Sequence, residues 1–287
     1  MAAISSSVAR RIGLLAQKRM SDMKSEEHHG IIREEFDRQA DTMPEASIFT
    51  DSDILDRIMS AARVTGESRA LDLGCGPGIV TEAFAVEAGE VVALDLSPEM
   101  IRRARQRCEK SGRKNVRFAI SKVEKLPFHN ASFDIIVTRL TLHHFPDLEA
   151  ALSEMVRVLQ PDGRIVIADI VSSHVPEESE LHNALEILRD PSHVRMISHT
   201  ELKHLINSAG LAIKTEDNWI REREFTEWMQ ITGAPERSRP LYVVMRELAQ
   251  AGIKAGIDLQ INGTTVVFKH RWILITLERA KKGRSRG

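Results

Sequence analysis

From residue 68 onward, short runs of apolar and β-branched residues alternate with longer stretches in which apolar positions recur every three or four residues. The first pattern predicts strands, the second helices with one buried face. Residues 70–73 (Ala-Leu-Asp-Leu) predict a buried strand ending in glycines, and 79–88 a helix. Residues 90–95, with Val91, Val92 and Leu94, predict a second strand. Residues 98–111 predict a helix, with Pro98 suited to its first turn. Strands follow at 116–120 and 133–138, then a helix whose face carries Leu148, Leu152, Met155, Val156 and Leu159. Pro161-Asp162-Gly163 turns the chain into a fifth strand at 164–171. Strands and helices alternating at this spacing predict a parallel sheet covered on both faces.

Past residue 171 the alternation breaks. Residues 176–189 predict an inserted helix, and 199–209 another, stopped by Gly210. Sixth and seventh strands are expected at 211–220 and 272–277, with helical stretches at 225–231 and 241–251 between them. The organisation expected is one α/β domain at 25–279. Its core would span 52–172 and 199–279, with a lid insertion at about 173–198 and an N-terminal cap helix at about 25–43.

Composition narrows the partners. The 287 residues are 42% hydrophobic and 28% charged, enough for a large core. Lys plus Arg number 40 against 41 for Asp plus Glu, so whole-chain attraction to nucleic acid or an anionic membrane is not expected. No run of about 20 apolar residues predicts an integral membrane segment. Cys75 and Cys108 are too few for a disulfide framework or a four-Cys zinc site, which suggests a cytoplasmic protein. The segment 1–24 starts with Arg10, Arg11, Lys18 and Arg19 and no acid before Met20. It reads as a flexible basic terminus or an upstream start before Met20. As a transit peptide, it would instead direct the chain to the mitochondrial matrix. Residues 280–287 form a second basic tail.

The strongest chemical signal is the run Leu71-Asp72-Leu73-Gly74-Cys75-Gly76-Pro77-Gly78 between a strand and a helix. Glycines there allow close backbone approach to a ligand. Asp95 ends the next strand, where an acid can grip ribose hydroxyls. A dinucleotide fingerprint fails, because counting from Gly74 and Gly76 puts Ile79 where the third glycine belongs. Asp72 would also repel a pyrophosphate, and suits an amino group better, directly or through water.

Asp72 to Gly78 followed by Ala93-Leu-Asp-Leu-Ser-Pro-Glu-Met100 resembles class I S-adenosylmethionine (SAM) methyltransferases. The likeness continues through Leu126-Pro127-Phe128, Ser132-Phe133-Asp134, Leu142-His143-His144-Phe145-Pro146-Asp147 and Arg157 to Gly163, covering about residues 36–277. Within that family, Leu185 to Arg195 is similar to the branch near the ubiquinone and menaquinone C-methyltransferases. The resemblance implies a Rossmann-like fold, a mostly parallel seven-stranded sheet with helices on both faces and a helical lid. It implies that Gly74, Cys75, Gly76 and Gly78 pass under the methionine and ribose of SAM and that Asp95 accepts from both ribose hydroxyls. Leu96 and Met100 would sandwich the adenine, with Lys122, Val123 and Glu124 along its edge. Thr138 and Arg139 would sit beside the methionine moiety. The helix around Glu34 to Ala40 would close over the cofactor. Lys122 departs from the family pattern: an Asp there usually accepts from the adenine amino group, and lysine cannot. Glu124 is the substitute on hand.

Methyl transfer from a sulfonium chiefly requires donor and acceptor to be held close and in line. A base is needed only where the acceptor must lose a proton, and histidine is the first candidate. His143 and His144 follow the fourth strand at the carboxyl edge of the sheet, where such folds bind ligands. His193, in the turn Asp190-Pro-Ser-His-Val-Arg195, would hang over the pocket, as would Arg195. The plainer alternative is that these side chains only line the pocket or lock the turn. His28, His29, His174, His182, His199, His204 and His270 read as surface or packing residues, and no metal site is expected. Cys75 reads as a free thiol.

The function expected is SAM-dependent methylation of a small organic acceptor, quinone-, polyketide- or other aromatic-like, at carbon or oxygen. The alternative is a catalytically inactive SAM-fold assembly or regulatory protein. The intact glycine loop and Asp95 weigh against it, Lys122 for it. The acceptor and the oligomeric state are left open.

Overall fold

The computed structural model describes residues 25–43, 48 and 51–280, together with Arg11 and Leu14. The expectations for the rest of the N-terminal segment, and for the tail beyond residue 280, lie outside the described residues. Two helices, α1 (Ser25–Gln39) and α2 (Ser52–Ala62), precede the sheet. Asp51 caps α2 by accepting from the Asp53 and Ile54 amides, and Ile54, Ile58 and Ala62 make its buried stripe.

The alternating pattern then produces β1 (Arg69–Leu73), α3 (Ile79–Glu87), β2 (Glu90–Asp95), α4 (Pro98–Lys110), β3 (Val116–Ile120), β4 (Phe133–Arg139), α5 (Leu148–Val158) and β5 (Leu159–Val171). Beyond them lie α6 (Pro176–Arg189), α7 (His199–Ser208), β6 (Leu211–Glu224), α8 (Phe225–Gln230), α9 (Pro235–Gln250), β7 (Gln260–Asn262) and β8 (Thr265–Arg279). The sheet order is β3-β2-β1-β4-β5-β8-β6, with β7 paired to β8. Strands β1 to β5 pair in parallel, and β8 runs antiparallel between β5 and β6. The order reverses at β1, so the loops after β1, β2 and β4 converge on one crevice at the carboxyl edge.

Strand alternation splits the core between the two faces. Leu71, Leu73, Val92 and Leu94 pack with Leu152 and Met155 of α5 and Ile206 of α7. Ala70, Val91, Ile135 and Val137 pack with Ile58 of α2 and Val80 and Phe84 of α3. A third cluster joins Leu181 and Leu185 of α6 to Trp228, Met245, Leu248 and Phe268. The helical lid expected at about 173–198 therefore shares its core with a segment running from α8 into β8.

Gly78 caps α3 with φ +83, and a Cβ there would lie 2.8 Å from Cα and Cβ of Ala104 on α4. Both the backbone angle and the helix contact exclude a side chain. Gly78→Ala is expected to lower stability by about 1–3 kcal/mol. Thermal denaturation of the two proteins checks it; an unchanged midpoint would show that α4 yields at no cost.

Candidate active site

The crevice at the carboxyl edge deepens into a cavity walled by the β1 and β4 loops, α1 and the lid. At one end, the Gly74 and Cys75 amides donate to the Leu94 carbonyl at 2.8 and 3.0 Å, which ties the glycine loop to β2. Gly74, at φ +71, leaves no room for a Cβ, which would meet the Thr141 side chain at 2.3 Å. At Gly76, φ +51, the only atom of the described residues near such a Cβ is Met43 Sδ at 3.8 Å, and the backbone lines the cavity.

Asp95 lines the cavity and is held from both sides: Oδ2 accepts from the Gly76 amide and Oδ1 from the Ser97 amide, each at 2.9 Å. Burial raises its pKa above the usual carboxylate value, although the amides oppose this. Asp72 is more deeply buried. Its Oδ2 accepts from Thr81 Oγ1 at 2.5 Å, and burial pushes its pKa up to about 7. Cys75 also lines the cavity, and burial pushes its thiol well above the ordinary range, so it is no nucleophile at neutral pH.

Leu96, Lys122, Val123 and Glu124 line the adjoining wall. Lys122 pairs with Glu26 of α1. Glu124 Oε1 meets His29 Nε2 at 3.3 Å, while its Oε2 is buried without a hydrogen bond among the described residues. Arg139 lines the cavity and donates from Nη2 to the Ile48 carbonyl at 2.5 Å. Gly78, Met100 and Thr138 do not line it. Met100 packs instead with Ala40 and Met43, and Thr138 is fully buried in β4.

The three singled-out histidines meet in space. The His143 ring lies 4.4 Å from that of His144 and 5.5 Å from that of His193, centroid to centroid. Their surroundings separate them. His143 Nδ1 lies 2.7 Å from Asp169 Oδ1. The same oxygen accepts from the Ile170 amide, and Oδ2 accepts from the Thr141 and Leu142 amides. Burial alone would raise the Asp169 pKa, but His143 and these amides hold it below the usual range. Asp169 is thus an anion, His143 Nδ1 carries the proton toward it, and His143 Nε2 is left bare and without a hydrogen-bond partner among the described residues. Burial pulls the His143 pKa down, and the Asp169 charge more than reverses this.

His144 is the opposite case. Its Nδ1 donates to the Ser192 carbonyl at 3.0 Å, and burial beside His143 brings its pKa down to about 4. His193 donates from Nε2 to Asn183 Oδ1 at 2.8 Å, and burial keeps it neutral. Arg195 leaves the pocket for a surface pair with Glu201. The turn is locked through Asp190, whose Oδ1 accepts from the Ser192 amide and whose Oδ2 accepts from Gln39 Nε2 at 2.8 Å. Helix α1 thus fastens the turn after α6, and does so again where His28 Nε2 meets the Ser192 carbonyl at 3.0 Å.

Asp169 was not singled out from the sequence. The available signal was a lone acid inside the apolar run Ile165-Val-Ile-Ala-Asp-Ile-Val171, where burial is costly unless the charge is matched. A second grouping, not singled out from the sequence, brings His182 and Glu186 of α6 together with His270 of β8.

A family model described as "Methyltransferase domain" matches residues 65–231. The chain is 32% identical over 242 residues to the uncharacterized methyltransferase YcgJ of Bacillus subtilis, covering 84% of this chain and 96% of that protein. The crystal structure of that relative superposes with a TM-score of 0.75 at 30% identity, covering 80% of this chain and 100% of that one. The uncharacterized protein YafE of Escherichia coli is 33% identical over 193 residues, covering 66% of this chain and 92% of that one. The site fits the donor these relations imply. The glycine backbone lies bare to the cavity, Asp95 stands at the end of β2, and Glu124 lines the adjoining wall with both carboxylate oxygens 3.3 Å from His29 Nε2. Among the described residues, no helix is long and apolar enough to cross a membrane. The chain belongs to the methyltransferase domain family and is a SAM-dependent methyltransferase.

Proposed function

We propose that this enzyme methylates a small, largely apolar acceptor at an atom that must first lose a proton: a phenolic or enolic oxygen, or the carbon beside it. The observation that carries the reading is the Asp169–His143 pair, with Nδ1 held by Asp169 and the histidine lining the cavity. SAM supplies the activated methyl group. Asp95 would hold its ribose hydroxyls, Glu124 Oε2 its adenine amino group and Asp72 its ammonium. Leu96 would cover one adenine face. His143 Nε2 would take the acceptor proton, leaving the acceptor atom free to receive the methyl group that bound SAM would supply. Asp169 is a positioning residue that stabilises the imidazolium.

Ile170, Met196, Trp228 and Ile231 give the acceptor end apolar walls. Among more distant relatives are a demethylmenaquinone methyltransferase of Clavibacter sepedonicus and a 27-O-demethylrifamycin SV methyltransferase of Amycolatopsis mediterranei, which supports a quinone- or polyketide-like acceptor. Cys75 and Cys108 are free and buried, in keeping with a cytoplasmic, reducing setting. Incubation with methyl-labelled SAM and a panel of phenols, quinols and polyketides tests the class. Label in hydroxylated aromatic acceptors is expected. Label confined to amines or thiols would contradict it.

The Asp72 assignment has its own test. With a pKa of about 7, Asp72 is mostly protonated at pH 6 and mostly ionised at pH 7.5. A carboxylate that holds the SAM ammonium therefore makes affinity rise about five- to tenfold over that range, in proportion to the competent fraction. Titration calorimetry should show this rise in the parent and not in Asp72→Asn. The ligand-free protein should move the other way. A raised acid pKa means the folded chain keeps a proton the unfolded chain has lost, so stability falls as pH climbs from about 4 through about 7.

A further inference from the structure

The cluster at the acceptor end that the histidine–aspartate pair does not use has its own chemistry. His182 and Glu186 stand four residues apart on α6 and share a face. Strand β8 brings His270 against them. Glu186 Oε1 lies 3.3 Å from His270 Nε2 and 3.7 Å from His182 Nε2. One ligand atom from each residue lies within 4.8 Å of the other two. Each residue is 2% exposed. Among the described residues, both nitrogens of His182, both of His270 and Glu186 Oε1 have no hydrogen-bond partner. Buried polar atoms are rarely left so, and five in one cluster point to a missing occupant. Glu186 Oε2 is already engaged by Arg189 Nη1 at 3.1 Å, so Oε1 is the oxygen turned to the imidazoles.

We propose that His182, Glu186 and His270 bind one divalent transition-metal ion of the zinc class, with an open position toward the acceptor end of the cavity. Two imidazole nitrogens and one carboxylate oxygen form a ligand set suited to such ions, and three protein ligands leave a position for water or substrate. Metal–ligand bonds of about 2.0–2.2 Å put neighbouring donors about 3.0–3.5 Å apart, close to the two separations between Glu186 and the histidines. Both histidines stand at ion-pair distance from Glu186, but neither meets hydrogen-bond geometry with it. Two cations face the cluster, and each is paired with a carboxylate: Arg189 with Glu186 Oε2, Arg223 with Glu227. Glu186 and His270 line the cavity, which puts the open position within reach of an acceptor oxygen. That use of the ion rests on the methyl-transfer reading above; ion binding does not.

The test uses the full chain, stripped of metal with dipicolinate and titrated with Zn²⁺ against a chromophoric chelator. One equivalent is expected to bind. Glu186→Gln and His270→Gln should each weaken binding by more than the roughly 10–100-fold that losing an outer-shell partner costs. His143→Asn should bind Zn²⁺ as the parent does. SAM titration of the same samples reports separately on the donor site and shows that the variants fold. Should a variant not fold, Co²⁺ in the parent decides, because a low-coordinate nitrogen and oxygen site gives intense visible absorption. No stoichiometric zinc in the parent, a Co²⁺ spectrum like that of the aqueous ion, or binding lost in His143→Asn and kept in Glu186→Gln would each overturn the proposal.

Discussion

Replacing His143 with asparagine should lower kcat by about 10²–10⁴-fold, the usual contribution of a general base, while SAM affinity stays near that of the parent. The imidazole must be neutral to accept a proton. Burial pulls its pKa down, but the Asp169 charge 2.7 Å away more than compensates. The acid limb of the rate profile is therefore expected above the ordinary histidine value of about 6.5. Asp169→Asn removes that charge and replaces one of the two accepting oxygens with a donor, so the ring tautomer is no longer fixed. It should lower kcat and move the limb to lower pH, a shift that a merely structural role would not produce. His144→Asn should leave the limb in place, because burial already keeps His144 neutral down to about pH 4. Turnover from pH 5.5 to 9, with an acceptor from the labelled screen, decides. His143→Asn activity within a few-fold of the parent across that range would remove the base assignment.

The parts of this site legible in the sequence are those whose meaning is local. A strand followed by Gly74-Cys-Gly-Pro-Gly78, and an acid closing the next strand, make their geometry within one βαβ unit. Asp95 and the glycine loop accordingly stand where the pattern puts them. Residues 176–189 were legible as a helix for the same reason, with Pro176 in its first turn. The rest depends on which elements pack together. Asp169 acquires its role across the β4–β5 ladder, from a histidine 26 residues away in sequence. Met100 falls on the phase of α4 that faces α1, away from the cavity. The pairing of His182 with Glu186 was present as a four-residue spacing, but its third member arrives from β8. Nothing in the periodicity says that α9 packs on α6 as well as against β7 and β8.

The donor assignment carries the second large effect. Asp95→Ala removes the acceptors expected to hold both ribose hydroxyls, and with them the anchor of the Gly76 amide. Charge-assisted hydrogen bonds of this kind contribute about 1.5–3 kcal/mol, equivalent to a dissociation constant raised about ten- to a hundredfold. With the methyl donor assigned to Asp95 and the acceptor to His143, one calorimetric titration of SAM into the parent, Asp95→Ala and His143→Asn tests that division of the cavity most directly. The predicted result is a weakened Asp95→Ala beside a His143→Asn indistinguishable from the parent. Unchanged affinity in a folded Asp95→Ala, or loss in His143→Asn equal to that in Asp95→Ala, would contradict it.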